Sequence, residues 1–231
     1  MRLCVIPARG GSKRIPRKNI KEFCGKPIIA YAIEAAKSSN LFDSIIVSTD
    51  DGEIASIGKY YGAEVPFKRP DSLSDDYAGT VEVVAHAIGE CEKINPIAEW
   101  VCCIYPCVPM IQPEDLVNSL TLLESNSPAR YVFPVTEFPS AIQRGLKRNA
   151  KGVMSPFFPE YEIMRTQDLE SAFYDAGQFY WGFKDSWIKN TTIHNDGIGY
   201  LIPNWRVVDI DTPDDWARAE IFYRILRLQE S

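Results

Sequence analysis

Short continuous apolar runs alternate with amphipathic segments through the first half of the chain. Leu3 to Ile6, Ser44 to Thr49 and Trp100 to Tyr105 have no polar alternation, the pattern of strands covered on both faces. Between them, Pro27 to Lys37 places Ile28, Tyr31, Ala32 and Ala35 on one helical stripe. Asp50 and Asp51 head a second helix running to Tyr61. Tyr77 to Glu92 and Pro113 to Glu124 complete the helical set, the last with proline at its first turn. Val65 to Phe67 reads as a short strand and Tyr131 to Val135 as a fifth. This alternation predicts one α/β domain over 1–231, a doubly wound parallel sheet covered on both faces with right-handed crossovers.

After Thr136 the periodicity breaks: prolines at 139, 156 and 159 interrupt short aromatic segments. We read 137–182 as an excursion from the sheet, a lid or a dimer arm. Trp205 to Ile210 reads as a returning strand and Pro213 to Leu228 as the closing helix.

Composition narrows the function classes. The formal charge of −6 argues against a general nucleic-acid binder. No segment reaches the roughly 20 apolar residues of a membrane helix. The N-terminus leads directly into a strand, and the expected location is cytoplasmic. The six cysteines form no C-x-x-C pair, and several sit in strand-like runs, so buried free thiols are expected. Two histidines, His86 and His194, do not make a metal site, and His86 reads as a surface or packing residue.

Against this acidic background one stretch is strongly basic. Pro7 to Asn19 reads PARGGSKRIPRKN and carries Arg9, Lys13, Arg14, Arg17 and Lys18. It leaves the end of the first strand, where open α/β sheets bind ligands. Gly10 and Gly11 let the backbone approach a ligand closely and, with Ala8, are candidates to turn N–H groups toward an anion. The spacing fits neither the P-loop nor the dinucleotide fingerprint. A polyanion such as a nucleoside triphosphate is the expected occupant.

The second chemical stretch is VVDIDTPDDW, Val207 to Trp216. On a strand Asp209 and Asp211 point the same way, about 7 Å apart at Cα. Such a pair suits magnesium shared with substrate phosphates. Thr212, Pro213 and Asp215 fit the cap, first and third positions of the following helix.

Together these stretches resemble the CMP-sugar synthetases, the acylneuraminate cytidylyltransferase family. P-A-R-G-G-S-K-x-I-P-x-K-N stands at 7–19, R-P-x-x-L-x-x-D at Arg69 to Asp76, and D-I-D-T at 209–212. The resemblance spans essentially the whole chain. It implies a three-layer α/β/α, Rossmann-like nucleotidyltransferase domain with a mostly parallel sheet, and the excursion as a small lobe for the sugar pocket and homodimer contacts. It implies that Arg9, Ser12, Lys18 and Asn19 meet the CTP triphosphate and ribose, and that Arg69 and Thr80 line the cytosine pocket. Asp76 closes the second motif and joins the nucleotide-binding set. Asp209 and Asp211 would hold Mg2+, and with Arg9 and Lys18 form the expected catalytic set. The reaction implied is attack of a sugar's anomeric hydroxyl on the α-phosphate of CTP, releasing pyrophosphate.

Where the sialic acid enzymes show L-x-Q-P-T-S-P-L-R, this chain has Tyr105 for the glutamine and Ile111 for the arginine. Arg165 to Gly182, RTQDLESAFYDAGQFYWG, is instead similar to bacterial enzymes that activate pseudaminic acid, a nine-carbon sialic-like sugar. Tyr105, Arg165 and Gln178 are therefore the expected sugar contacts, with Phe173, Tyr174, Phe179, Tyr180 and Trp181 read as core ahead of ligand contact. The alternatives are a sialic or legionaminic acid enzyme and a non-catalytic nucleotide-binding module.

Overall fold

The computed structural model describes residues 2–96, 99–126, 130–189 and 192–229. The strands are β1 (Leu3–Pro7), β2 (Glu22–Phe23), β3 (Lys26–Pro27), β4 (Ser44–Ser48), β5 (Trp100–Ile104), β6 (Tyr131–Glu137), β7 (Leu146–Arg148), β8 (Met154–Pro156), β9 (Phe173–Asp175), β10 (Phe179–Phe183) and β11 (Ile198–Leu201). The helices are α1 (Ile29–Ser38), α2 (Gly52–Tyr60), α3 (Thr80–Glu92), α4 (Pro113–Ser125), α5 (Lys184–Lys189) and α6 (Pro213–Gln229).

The central sheet runs β11-β6-β10-β5-β1-β4, with β9 also paired to β6. β1 is parallel to β4 and β5, and β11 is parallel to β6, whereas β10 is antiparallel to both of its neighbours. Alternation along each strand splits the core into two slabs. Cys4, Ile6, Cys102 and Ile104 face Ile29 and Ile33 of α1 and Leu116 and Leu120 of α4. Leu3, Val5, Val101 and Cys103 face Val84, Ala87 and Ile88 of α3 and Trp187 of α5. The three-layer α/β/α arrangement with a mostly parallel sheet is therefore present. All six cysteines are free, four of them buried.

The largest departure from the sequence pattern is β10. Expected inside the 137–182 excursion, it lies in the middle of the sheet, with Phe179 and Trp181 fully buried. Gly182 permits the close fit, since a Cβ there would lie 2.6 Å from the Tyr131 ring. Phe179, Tyr180 and Trp181 are thus core residues, while Phe173 stays exposed. The remainder of the excursion carries the small β7–β8 ribbon and short helical turns.

Two expected strands do not form. At Val65 to Phe67 the structure has only a bridge between Ile46 and Glu64, because Pro66 has no N–H to extend the ladder. Around Trp205 to Ile210, Asn204–Arg206 makes a helical turn behind Pro203, and the position beside β6 is taken by Ile198–Leu201. Helix starts also shift. α3 begins at Thr80 because Asp75 Oδ1 accepts from the amides of Tyr77 and Ala78, holding those residues in a turn. α1 begins at Ile29, since Lys26 and Pro27 pair with β2.

A third apolar cluster fixes the geometry of the site. Ile15 of the basic loop, Phe23, Ile28 and Tyr31 pack with Ile210, Trp216 and Ala219. Phe23 meets Trp216 edge to face at 5.4 Å. This packing holds the acidic segment before α6 against the basic loop after β1, two parts of the chain about 200 residues apart in sequence.

Candidate active site

The basic loop leaves the carboxyl end of β1, and Asp50 and Tyr105 follow the carboxyl ends of β4 and β5. Here the sheet opens a cleft of about 500 Å³. Its walls include Arg9, Ser12, Lys13, Arg14, Lys18 and Asn19 from the basic loop and Arg69, Asp76 and Thr80 from the next. Tyr105 and Cys107 line it after β5, Gly177 before β10, and Asp209 and Asp211 before α6.

The loop is shaped by its own polar contacts. Asn19 is buried, its Nδ2 donates to Arg9 O at 2.8 Å, and its Oδ1 accepts from Cys107 Sγ at 3.2 Å. Arg17 sits in the left-handed region at φ 56° and forks onto Asp51, at 2.5 and 2.9 Å. That carboxylate also caps α2 through the amides of Glu53 and Ile54, at 3.0 Å each. Its pKa falls to about 2, chiefly through the Arg17 contact. Gly10 runs so close that a Cβ would stand 2.9 Å from Asp51 Oδ2.

The other cations face carboxylates across the cleft. Arg9 pairs with Asp76 at 2.8 Å and donates to Asp75 O at 2.6 Å, and Lys13 also pairs with Asp76. Lys13 and then Arg9 hold the Asp76 carboxyl below its usual range. Arg14 reaches Asp211 Oδ2 at 2.7 Å, and Lys18 Nζ donates to Ile210 O at 2.7 Å and to Asp211 Oδ1 at 3.3 Å. Asp209 carries no such partner among the described residues. Desolvation by the cleft walls, and next the charge of Asp211, raises its carboxyl above the usual range.

Arg69 is buried beneath these groups, donating to Ser48 O at 2.8 Å and Leu73 O at 3.3 Å, with Nε left without a partner. Burial lowers its pKa from the usual guanidinium value, while the charge of Asp50 opposes that shift. Thr80 Oγ1 and the Tyr105 hydroxyl lie 2.7 Å apart at the cleft wall. Burial pushes Tyr105 up to about 12, so it stays a neutral phenol. Burial likewise pushes Cys107 up to about 12, which removes it as a nucleophile.

Most of the residues singled out from the sequence converge here: Arg9, Ser12, Lys18, Asn19, Arg69, Asp76, Thr80, Tyr105, Asp209 and Asp211. Five do not line the cleft. The amide of Ala8 continues the sheet by bonding Ser48 O at 2.9 Å, and that of Gly10 is taken by Asp50 Oδ1 at 3.0 Å. Neither is free to bind an anion. Gly11 is exposed, with open space around it. Gln178 is buried, its Nε2 donating to Arg206 O at 2.8 Å, and Arg165 is exposed and forks onto Asp168. In this conformation neither side chain lines the cleft, and the Gln178 Oε1 has no hydrogen-bond partner among the described residues. Missed from the sequence was Gly177, whose φ of 61° turns the chain into the cleft just before β10.

A basic loop at the carboxyl edge of parallel strands, facing an aspartate pair across a cleft, places the molecule among the Rossmann-like nucleotidyltransferases. Two solved structures share its fold. CMP:2-keto-3-deoxy-manno-octonic acid synthetase complexed with CTP has a TM-score of 0.70 at 17% identity, covering 100% of this chain and 99% of the other. 4-Diphosphocytidyl-2C-methyl-D-erythritol synthase from Anaerococcus prevotii has a TM-score of 0.64 at 13% identity, over 96% and 98%. The Cytidylyltransferase family model matches residues 3–172, and the chain belongs to that family. It is 41% identical, over 96% of both chains, to the pseudaminic acid cytidylyltransferase of Campylobacter jejuni. It is 31% identical, over 94% of both, to the CMP-N,N'-diacetyllegionaminic acid synthase of Legionella pneumophila.

Proposed function

We propose that the protein joins CTP to pseudaminic acid, forming CMP-pseudaminic acid and pyrophosphate. The observation that carries this reading is the cleft in which Arg9, Lys13, Arg14 and Lys18 face Asp209 and Asp211. The 41% identity across the whole length to a pseudaminic acid cytidylyltransferase supports the choice of sugar.

In this reading Arg9 and Lys18 neutralise the triphosphate and stabilise charge that passes to the departing pyrophosphate. Ser12 adds a hydroxyl donor to the phosphates. Arg69 and Thr80 bound the base end, and Tyr105 the sugar end. The α-phosphate is then positioned for in-line attack by the anomeric hydroxyl, and most of the rate comes from positioning and charge neutralisation.

Asp209 and Asp211 would hold magnesium. Their hard oxygen donors fit the ion, and the desolvation and then the Asp211 charge that raise the Asp209 carboxyl are both offset by a divalent cation. When bound it would supply charge neutralisation at the phosphates. We further read the protein as a cytoplasmic homodimer. No described helix is long and apolar enough to cross a membrane.

The test is pyrophosphate release by the purified protein with CTP and magnesium, against pseudaminic, legionaminic and N-acetylneuraminic acids. Release with pseudaminic acid is expected. Release only with another sugar retains the phosphate and metal assignments and discards the sugar assignment. CTP binding without release from any sugar overturns the enzymatic reading.

A further inference from the structure

The turn after β5 sets one side chain against the buried asparagine of the basic loop. Tyr105 N bonds Gln178 O at 2.9 Å, which ties the start of that turn to the residue before β10. Pro106 stiffens the backbone ahead of Cys107, and the Ile111 amide closes the next turn onto Val108 O at 3.1 Å. Cys107 lines the cleft from this framed position, with Sγ 3.2 Å from Asn19 Oδ1. Asn19 is 5% exposed and lies in the helical turn Lys18–Ile20, where the Ile20 amide bonds Arg17 O at 3.0 Å.

These partners decide which way the Asn19 amide faces. Arg9 O is a carbonyl and only accepts, so the group 2.8 Å from it is the amino end, Nδ2. Oδ1 therefore faces Cys107, and because a carbonyl oxygen cannot donate, the thiol does. Burial keeps that thiol protonated, its pKa pushed up to about 12, so the donor persists across the neutral range. Nδ2 carries two N–H groups and bonds only Arg9 O among the described residues. Its second N–H is left over at a residue that lines the cleft.

We propose that Cys107 is a positioning residue whose thiol holds the Asn19 amide in one orientation. One N–H then fixes the Arg9 backbone, and the other meets an acceptor oxygen of the nucleotide. The inference rests on the nucleotide occupancy read above. A flipped amide would set Oδ1 against Arg9 O, two acceptors facing each other, and would withdraw the N–H from the ligand.

The experiment measures CTP affinity by calorimetry for the wild type, Cys107→Val, Cys107→Ser, Asn19→Ala and the Cys107→Val/Asn19→Ala double variant. Valine keeps the bulk and removes the donor, whereas serine keeps a donor. Cys107→Ala, which also lacks the donor, repeats the comparison should valine disturb folding, with urea unfolding as the check.

CTP affinity is expected to fall about fivefold in Cys107→Val, the worth of one modest hydrogen bond, and to stay within twofold of wild type in Cys107→Ser. Adding Cys107→Val to Asn19→Ala should cost nothing further, because the thiol acts only through that amide. The proposal is overturned if the variants without the donor bind CTP within twofold of wild type. An equal loss in Cys107→Ser, or full additivity in the double variant, overturns it as well. A wild-type protein that binds CTP but turns over no sugar removes the function proposed above, and the CTP affinities still decide this inference. A wild-type protein that binds no CTP removes both.

Discussion

At the scale of single residues, the cleft separates groups that build the site from groups free to react. Gly10 belongs to the first kind. Its amide is taken by Asp50, and its missing side chain makes room for Asp51, so the G-G pair read as an anion nest is in part a packing requirement. Gly10→Ala should destabilise the protein by about 1–3 kcal/mol through overpacking, read as a lowered midpoint in urea unfolding. Asp209 belongs to the second kind, and the Asp211 carboxylate, outside the apolar core as well, is held among the described residues only by the cleft cations Arg14 and Lys18. Asp209→Asn and Asp211→Asn should each lower turnover at least about 100-fold while leaving the melting temperature near that of the wild type. Normal pyrophosphate release by either variant would remove that residue from the metal site. Types and spacing made Arg9, Lys18 and the aspartates legible in the sequence. Partners did not follow from spacing: nothing in the order of residues says that Asn19 would be spent on Arg9 O, or Gln178 on Arg206 O.

At the scale of elements, caps and turns were readable because they are local. Thr212 and Asp215 form the expected reciprocal cap of α6, with Thr212 N to Asp215 Oδ2 at 2.9 Å and Asp215 N to Thr212 Oγ1 at 3.2 Å. Asp51 was read as an N-cap and is one, but it also receives Arg17 from a loop 34 residues earlier. That ion pair couples α2 to the basic loop and gives a pH signature. The Asp51 pKa is depressed in the folded state, to about 2 from 3.8, so its stabilisation is fully present above about pH 4 and is lost as pH falls through about 2. Asp51→Ala should cost about 2 kcal/mol at pH 7, from the cap and the ion pair together. Denaturant unfolding across pH should show the difference from wild type shrinking below pH 4; a constant difference would exclude the carboxylate as its source. The apolar runs at Val65 and Trp205 do not form strands, for the complementary reason. A short apolar run says that a segment is buried, whereas pairing depends on which other strand reaches the edge first.

At the scale of the whole molecule, the excursion divides into two fates. Its last segment, β10, enters the sheet, while Leu146, Met154, Phe157 and Ile163 remain exposed. An apolar surface of this kind fits the proposed homodimer. Sedimentation should therefore show a mass twice that of the 26.1 kDa chain, and Phe157→Glu should shift it toward the monomer. A wild-type monomer at micromolar concentration would exclude the dimer. The sequence by itself determined the layers, since burial on both faces of a strand and on one stripe of a helix is written in local periodicity. It also made the residue types at the cleft legible, because the basic loop and the two aspartates before the α6 cap stand out against the rest of the chain without a fold. Only the tertiary structure decided that β10 would part β5 from β6, and that the Ile15–Trp216 cluster would set the aspartates opposite the cations. It also decided that Cys107 would stand against Asn19. Those are long-range contacts, chosen by the competition of many buried surfaces for the same space, and local sequence carries no record of that competition.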